Sequence, residues 1–218
     1  MSSSKTYQVS FNGGREAKLV APQRDYIERF WKRGRYYEAG SGELLDLIAP
    51  LDVKVYVDVG AQWGNHAAFM AHRAKELHLF EPLPLSYEAL KVNTKPWADK
   101  CSYYNVACGA MQASHALEQV HENNIGSTRV NPELTGKTRV VPLDDFKNIA
   151  PDFIKIDVEG LELGVLFGAM YMIGKYRPYV SCEVAENRAD IDRFMMDRNY
   201  DVIETKNATR THLYVPQA

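Results

Sequence analysis

Residues 53–66 read VKVYVDVGAQWGNH, a short apolar run that closes on an acid and then a glycine-punctuated turn. Val53, Val55, Tyr56, Val57 and Val59 are β-branched or aromatic with little polar alternation. That is the pattern of a strand buried on both faces of a parallel sheet. Gly60 and Gly64 follow at a spacing of four, which allows a sharp turn and a helix beginning at about Asn65. Free N–H groups at such a helix start face whatever sits over the strand end. The crevice beyond the carboxyl ends of such strands is where α/β sheets bind ligands.

The spacing also bears on which ligand. A dinucleotide fold wants G-x-G-x-x-G, its second glycine admitting a pyrophosphate. Here that position is Gln62, and Asp58 stands two residues before the first glycine. A carboxylate at this point repels a pyrophosphate and suits a cation, such as the amino group and sulfonium of S-adenosylmethionine. Asp58, Gly60, Ala61, Gly64 and Asn65 are therefore candidate cofactor residues. A second apolar run, residues 76–82 (ELHLFEP), ends in Glu81 and Pro82 about twenty residues past the turn. An acid so placed reaches ribose hydroxyls.

Residues 101–107 (CSYYNVA) read as a third strand whose end, Asn105, Val106 and Ala107, flanks an adenine ring. Residues 153–158 (FIKIDV) read as a fourth, closing on Asp157, with one continuous buried helix after it and Glu159 and Glu162 in that helix's first turn. Residues 179–183 (YVSCE) give a fifth, ending in Glu183, and residues 200–205 with 211–215 a closing hairpin around Asn207. Between the third and fourth strands, residues 113–120 and 138–141 read as extended segments joined by a loop, residues 123–128, that forms a flap carrying Ser127 toward the substrate. Strands and helices thus alternate as in a doubly wound α/β sheet.

Ahead of the glycine turn, residues 1–50 form an extension that packs on the core, and residues 51–218 form the cofactor-binding domain. The extension opens on a hairpin turning at Asn12-Gly13-Gly14, continues in an amphipathic helix from Arg24 to Arg35, and presents Tyr37 and Glu38 over the cleft. At 218 residues with 45% hydrophobic content, one core suffices. A net charge of -2 with dispersed Lys and Arg argues against a nucleic-acid partner. Three cysteines without C-x-x-C spacing read as reduced and argue against a zinc site. With neither a signal peptide nor an integral membrane segment in view, the expected location is cytoplasmic.

In order, the motifs VDVGAQWGNH, LFEP, YNVACGA, VPLDDF, DFIKIDVEGLELGVLFGA and RPYVSCEV resemble the FkbM family of S-adenosylmethionine-dependent methyltransferases, over roughly residues 30–190. The resemblance implies a Rossmann-like class I methyltransferase fold, seven strands mostly parallel, with helices on both faces and the last strand antiparallel. It further implies O-methylation of a hydroxyl on a sugar, lipid or polyketide-type acceptor. Carried over by position, Asp58, Gly60 and Gly64 match the cofactor turn, Glu81 the ribose acid, Asn105 and Ala107 the adenine edge, and Asp157, Glu159, Gly160 and Glu162 the fourth-strand motif. Trp63 departs from the small or aliphatic residue expected before the second glycine.

Transfer to a hydroxyl needs its proton removed or polarised. Asp157 and Glu159, and after them His66, are the candidate catalytic groups, Asp157 also a cofactor candidate; Tyr37, Glu38, Ser127 and Glu183 are candidates for touching the acceptor; no metal ligand set is read from spacing, an oxygen-ligated Mg²⁺ between Asp157 and Glu183 staying open. A partner subunit that binds the cofactor without chemistry, and a nucleotide-dependent oxidoreductase, are the competing readings.

Overall fold

The apolar run ahead of the glycine turn becomes the centre of a sheet, and the chain builds toward it. In the computed structural model, residues 5–12, 14–22, 25–122, 124–184, 187–206 and 211–217 are described. First comes an antiparallel hairpin, β1 (Lys5–Phe11) and β2 (Gly14–Ala21), then two short helices, α1 (Glu28–Trp31) and α2 (Leu44–Ile48). The parallel core opens with β3 (Val55–Val59), α3 (Asn65–Met70), β4 (Glu76–Phe80), α4 (Pro84–Asn93) and β5 (Cys101–Tyr104). A smaller sheet intervenes, made of β6 (Ala107–Cys108), β7 (Ala113–His121), β8 (Asn124–Thr135) and β9 (Thr138–Val141). The chain then returns through β10 (Phe153–Ile156), α5 (Glu162–Phe167), α6 (Met170–Tyr176), β11 (Tyr179–Glu183), α7 (Arg188–Met196), β12 (Tyr200–Glu204) and β13 (Thr211–Pro216).

Seven strands form the main sheet in the order β12-β13-β11-β10-β3-β4-β5. Only β13 runs against its neighbours. Register decides where the site lies: Val59 is level with Phe80 and with Ile156, and Ile156 with Cys182. The carboxyl ends of four parallel strands therefore emerge along one edge, where crossover connections leave a crevice.

Alternation along β3 sends Tyr56 to one face and Val57 and Val59 to the other. On the first face the β1–β2 hairpin, α1 and α3 pack around Leu19, Trp31, Trp63 and Phe69, all buried. On the second, α5, α6 and α7 pack Val165, Met172, Ile191 and Met195 against Val57, Ile154 and Val180. Burying a side chain the size of Phe69 or Ile154 contributes about 1.5–3 kcal/mol. The two faces thus clamp the sheet from both sides.

Several expectations change. The Arg24–Arg35 helix shrinks to α1, because Ser10 N–H donates to Gly34 O and Arg35 bridges β1, drawing the chain out of helical geometry; Arg24 itself lies outside the described residues. The third strand ends at Tyr104, and Ala107–Cys108 joins the smaller sheet beside β9 instead. Its break falls at Asn105, whose amide donates to the carbonyls of Glu81 and Pro82. The expected flap loop is largely strand: β8 runs from Asn124 through Pro132 to Thr135 at the edge of the smaller sheet, where a proline is tolerated.

The single helix after Gly160 is two. Gly168 lies where a Cβ would meet Gly109 O at 2.0 Å, so the chain bends there. Asp144, of the VPLDDF stretch, accepts from Tyr171 N and Met172 N at 2.8 and 3.0 Å and starts α6. Glu159 is outside the helix altogether, with φ +56°, and Glu162 begins it. Cys108 and Cys182 are buried and Cys101 half-buried, all as free thiols. Gly13 and Asn207, assigned to hairpin turns, and Asn123, of the expected flap, lie outside the described residues. Among the described residues no helix is long and apolar enough to cross a membrane.

Candidate active site

The glycine turn is shaped by what it packs against. Gly60 has φ +81°, and a Cβ there would stand 1.8 Å from Asp157 O, so any other residue would push β10 away. Gly60 N and Ala61 N both donate to Phe80 O at 3.0 Å, laying the turn across the end of β4. Gly64, at φ +82°, lets Leu90 of α4 come within 2.8 Å of where its Cβ would be.

Over this turn opens a cleft of about 1170 Å³, its mouth included. One side is nucleoside-like in chemistry. Phe80, Leu83, Val106 and Ala107 offer an apolar wall, with Pro82 and Ser86 beside it. The Glu81 carboxylate is pinned there, one oxygen accepting from Gln62 N at 2.8 Å and the other from Leu83 N at 2.9 Å. Burial pushes this carboxyl up to about 7 against those two bonds. Its remaining lone pairs suit a pair of hydroxyls.

The other side is crowded with acid. Asp157, Glu159 and Glu183 line it, each with a carboxylate oxygen within 4.8 Å of the others. An oxygen-only set of this kind suits a hard divalent cation. In the protein alone the three cannot all ionise. Burial and then the neighbouring Asp157 raise Glu183 to about 10 and Glu159 to about 7. Glu183 is thereby pushed toward its protonated form, hydrogen-bonded to Asp157, and Glu159, raised to about 7, lies in the range suited to a general base.

A third wall comes from the extension. Tyr37 and Glu38 line the cleft, held by α3: Asn65 accepts from Tyr37 N at 2.9 Å and donates to Tyr37 O at 3.1 Å, while also accepting from Trp31 Nε1. His66 Nε2 lies 2.8 Å from Glu38 Oε2. Thr211 of β13 donates to the other oxygen of Glu38. Asp25 bridges the mouth. It accepts from Ile27 N, from Gly126 N of β8 at 3.0 Å and from the Gln62 amide at 3.3 Å.

Of the residues named from sequence, Gly60, Ala61, Asn65, His66, Glu81, Pro82, Val106, Ala107, Asp157, Glu159, Glu183, Tyr37 and Glu38 come together around the cleft. Asp58, Gly64, Asn105 and Ser127 do not line it, nor do Gly160 and Glu162 of the fourth-strand motif. Asp58 is fully buried beneath the turn, 3.3 Å from Lys155 Nζ. Gly64 faces α4, Asn105 braces the Glu81–Pro82 carbonyls, and the Ser127 hydroxyl donates to Asn124 O and accepts from His121 N within its own hairpin.

Lys155, Asp25 and Gln62 were not picked out by their sequence. Lys155 had a signal, a charge inside an otherwise apolar parallel strand. Asp25 and Gln62 had none. Glu38, Gln62 and Glu159, all on the cleft wall, carry positive φ (+57°, +47° and +56°), a conformation that surrounding structure must hold in place.

A mostly parallel seven-stranded sheet with one antiparallel strand, and a cleft at the glycine turn between its strand ends, defines a methyltransferase-type α/β fold. Residues 58–202 match the methyltransferase FkbM domain, and the chain belongs to that family. Among solved structures it resembles the methyltransferase FkbM from Methylobacillus flagellatus KT, at 22% identity and TM-score 0.58, over 75% of this chain and 43% of that one. The chain therefore spans less than half of that relative. It also resembles the Thermus thermophilus 16S rRNA N2 G1207 methyltransferase, solved with AdoMet and guanosine, at 12% identity and TM-score 0.52, over 100% of this chain and 52% of that one. A third is a putative rRNA methylase from Clostridium thermocellum, at 8% identity and TM-score 0.50, covering 79% and 94%. At these identities the likeness is one of fold. No curated protein matches the chain in sequence.

Proposed function

We propose that this chain is an S-adenosylmethionine-dependent methyltransferase acting on a hydroxyl of a sugar, lipid or other small molecule, not on nucleic acid. The observation that carries this reading is Glu81. Its carboxylate is fixed by two backbone N–H groups at the end of β4, above the glycine turn and beside an apolar wall, as a nucleoside's ribose and base require. The acidic lining opposite favours a cationic cofactor over a pyrophosphate, and the net charge of -2 favours a small acceptor over a phosphate backbone.

The cofactor, when bound, supplies a methyl group already activated on a sulfonium. The chain's task is then to align, exclude water and move one proton. Glu159 is assigned to take the acceptor's hydroxyl proton, having the more suitable acidity and a place on the wall. Glu183, favoured in its protonated form, hydrogen-bonds Asp157 and holds the acidic wall in place beside Glu159. His66 is committed to Glu38 and so shapes the wall that Tyr37 and Glu38 form, rather than reacting.

Calorimetric titration with S-adenosylmethionine, with NAD as control, tests the cofactor. Methyl transfer from labelled cofactor to a panel of hydroxylated sugars and lipids tests the reaction. Binding of the first ligand alone, with transfer that Glu159→Gln abolishes, is expected. Tight NAD binding would overturn the reading. Cofactor binding without transfer to any member of the panel would favour a non-catalytic binding subunit.

A further inference from the structure

Strand β10 reads Phe153-Ile154-Lys155-Ile156, and all four are buried. The lysine is 4% exposed in a strand where every other position is apolar. Its ammonium lies 3.3 Å from Asp58 Oδ1 and 3.3 Å from Asp157 Oδ2, and donates to Gly60 O at 3.3 Å. The bond to Gly60 O is a hydrogen bond, and the two carboxylates are ion-pair neighbours on either side of the ammonium, which reaches the cleft lining from within the strand. Burial by itself would strip the proton, but Asp58, Asp157 and Glu38 outweigh it and hold the lysine above its ordinary range, charged.

A buried ion pair is a poor way to gain stability; an apolar pair of the same volume usually does as well or better. A charge that breaks the local pattern of a strand is expected where function requires it. The three oxygens differ in place. Asp58 is under the turn and outside the cleft, Gly60 is the turn itself, and Asp157 is on the cleft wall.

We propose that Lys155 is a positioning residue: it fixes the Gly60 carbonyl and the Asp157 carboxylate relative to each other, with Asp58 serving as its counter-ion rather than as a ligand of the cofactor. This inference rests on the S-adenosylmethionine reading above. The glycine turn and the fourth strand end would then face the cofactor as one rigid edge.

The test removes both buried charges together. In Asp58→Asn/Lys155→Met the net charge is unchanged and no fully buried ion is left unpaired, Asp157 being partly exposed, so melting temperature and S-adenosylmethionine affinity can be compared with wild type separately. Melting within a few degrees of wild type with affinity weakened at least tenfold is expected. A pair that is merely structural would restore both, so a folded double variant binding within threefold of wild type overturns the inference. If that variant does not fold, Asp58→Asn/Lys155→Gln, which keeps a donor toward Gly60 O, is judged by the same two numbers. Wild-type protein that binds no S-adenosylmethionine overturns the cofactor reading and this inference with it; unchanged affinity in the folded double variant overturns this inference alone.

Discussion

The two sides of the cleft use carboxylates in opposite ways. On the β4 side a single acid, Glu81, has both oxygens held by backbone N–H groups and an apolar wall beside it. On the β10–β11 side Asp157, Glu159 and Glu183 crowd one another and compete for protons. The first arrangement is a rigid acceptor of hydrogen bonds. The second holds a proton that it can shift. On the proposed function, binding and proton handling are thereby separated by the width of the cleft, although the same residue types serve both.

The comparison breaks most visibly if Glu159→Gln leaves turnover intact. Removing a general base costs about 10²–10⁴-fold, and cofactor affinity should hardly change; initial rates and calorimetry on the same preparation check both. Beneath the acidic side, Asp58→Asn strands the buried Lys155 with one partner fewer. Breaking a buried pair costs about 3–5 kcal/mol, to be read as a lower denaturant midpoint. Across the cleft, Glu81→Ala removes at least one charge-assisted hydrogen bond, worth about 1.5–3 kcal/mol, so S-adenosylmethionine should bind at least about tenfold more weakly.

Acidity sharpens the contrast further. Glu81 rises from 4.5 to about 7 on folding. A raised carboxyl favours the fold when protonated, so its contribution is complete below about pH 4.5 and is lost as pH climbs through about 7. The melting temperature of the ligand-free protein should fall across that window, and Glu81→Gln should flatten the slope. The smallest effect belongs to Ser127→Ala. It removes hairpin hydrogen bonds of about 1 kcal/mol and should lower melting slightly while leaving cofactor affinity alone.

Much of this site was legible because it is local. An apolar run closing on an acid before a glycine turn needs no tertiary knowledge to be placed at a strand end, and Glu81, Gly60 and Asp157 were found that way. Asp58 lies beneath the cleft rather than on its wall for a reason of register. Its level with Lys155 of β10 turns it into a buried counter-ion, and nothing within its own strand announces that partner. Asn105 and Ser127 were read as reaching outward, yet both side chains are spent on nearby backbone groups. Strand β8 was hidden by its composition. Asn, Gly, Ser and Pro spell a loop, but an edge strand that pairs on one side only accepts them.

The bridge at Asp25 makes three separate pieces of chain answer to one carboxylate: the extension before α1, the glycine turn through Gln62, and the hairpin through Gly126. A Cβ on Gly126 would come within 2.8 Å of the Gln62 amide, so the fit is tight as well as polar. Modularity is the casualty. A β7–β8 hairpin moved to another sheet of this type will seat only where an acid and an amide side chain already wait at the corresponding places, so these three residues must be exchanged as a set.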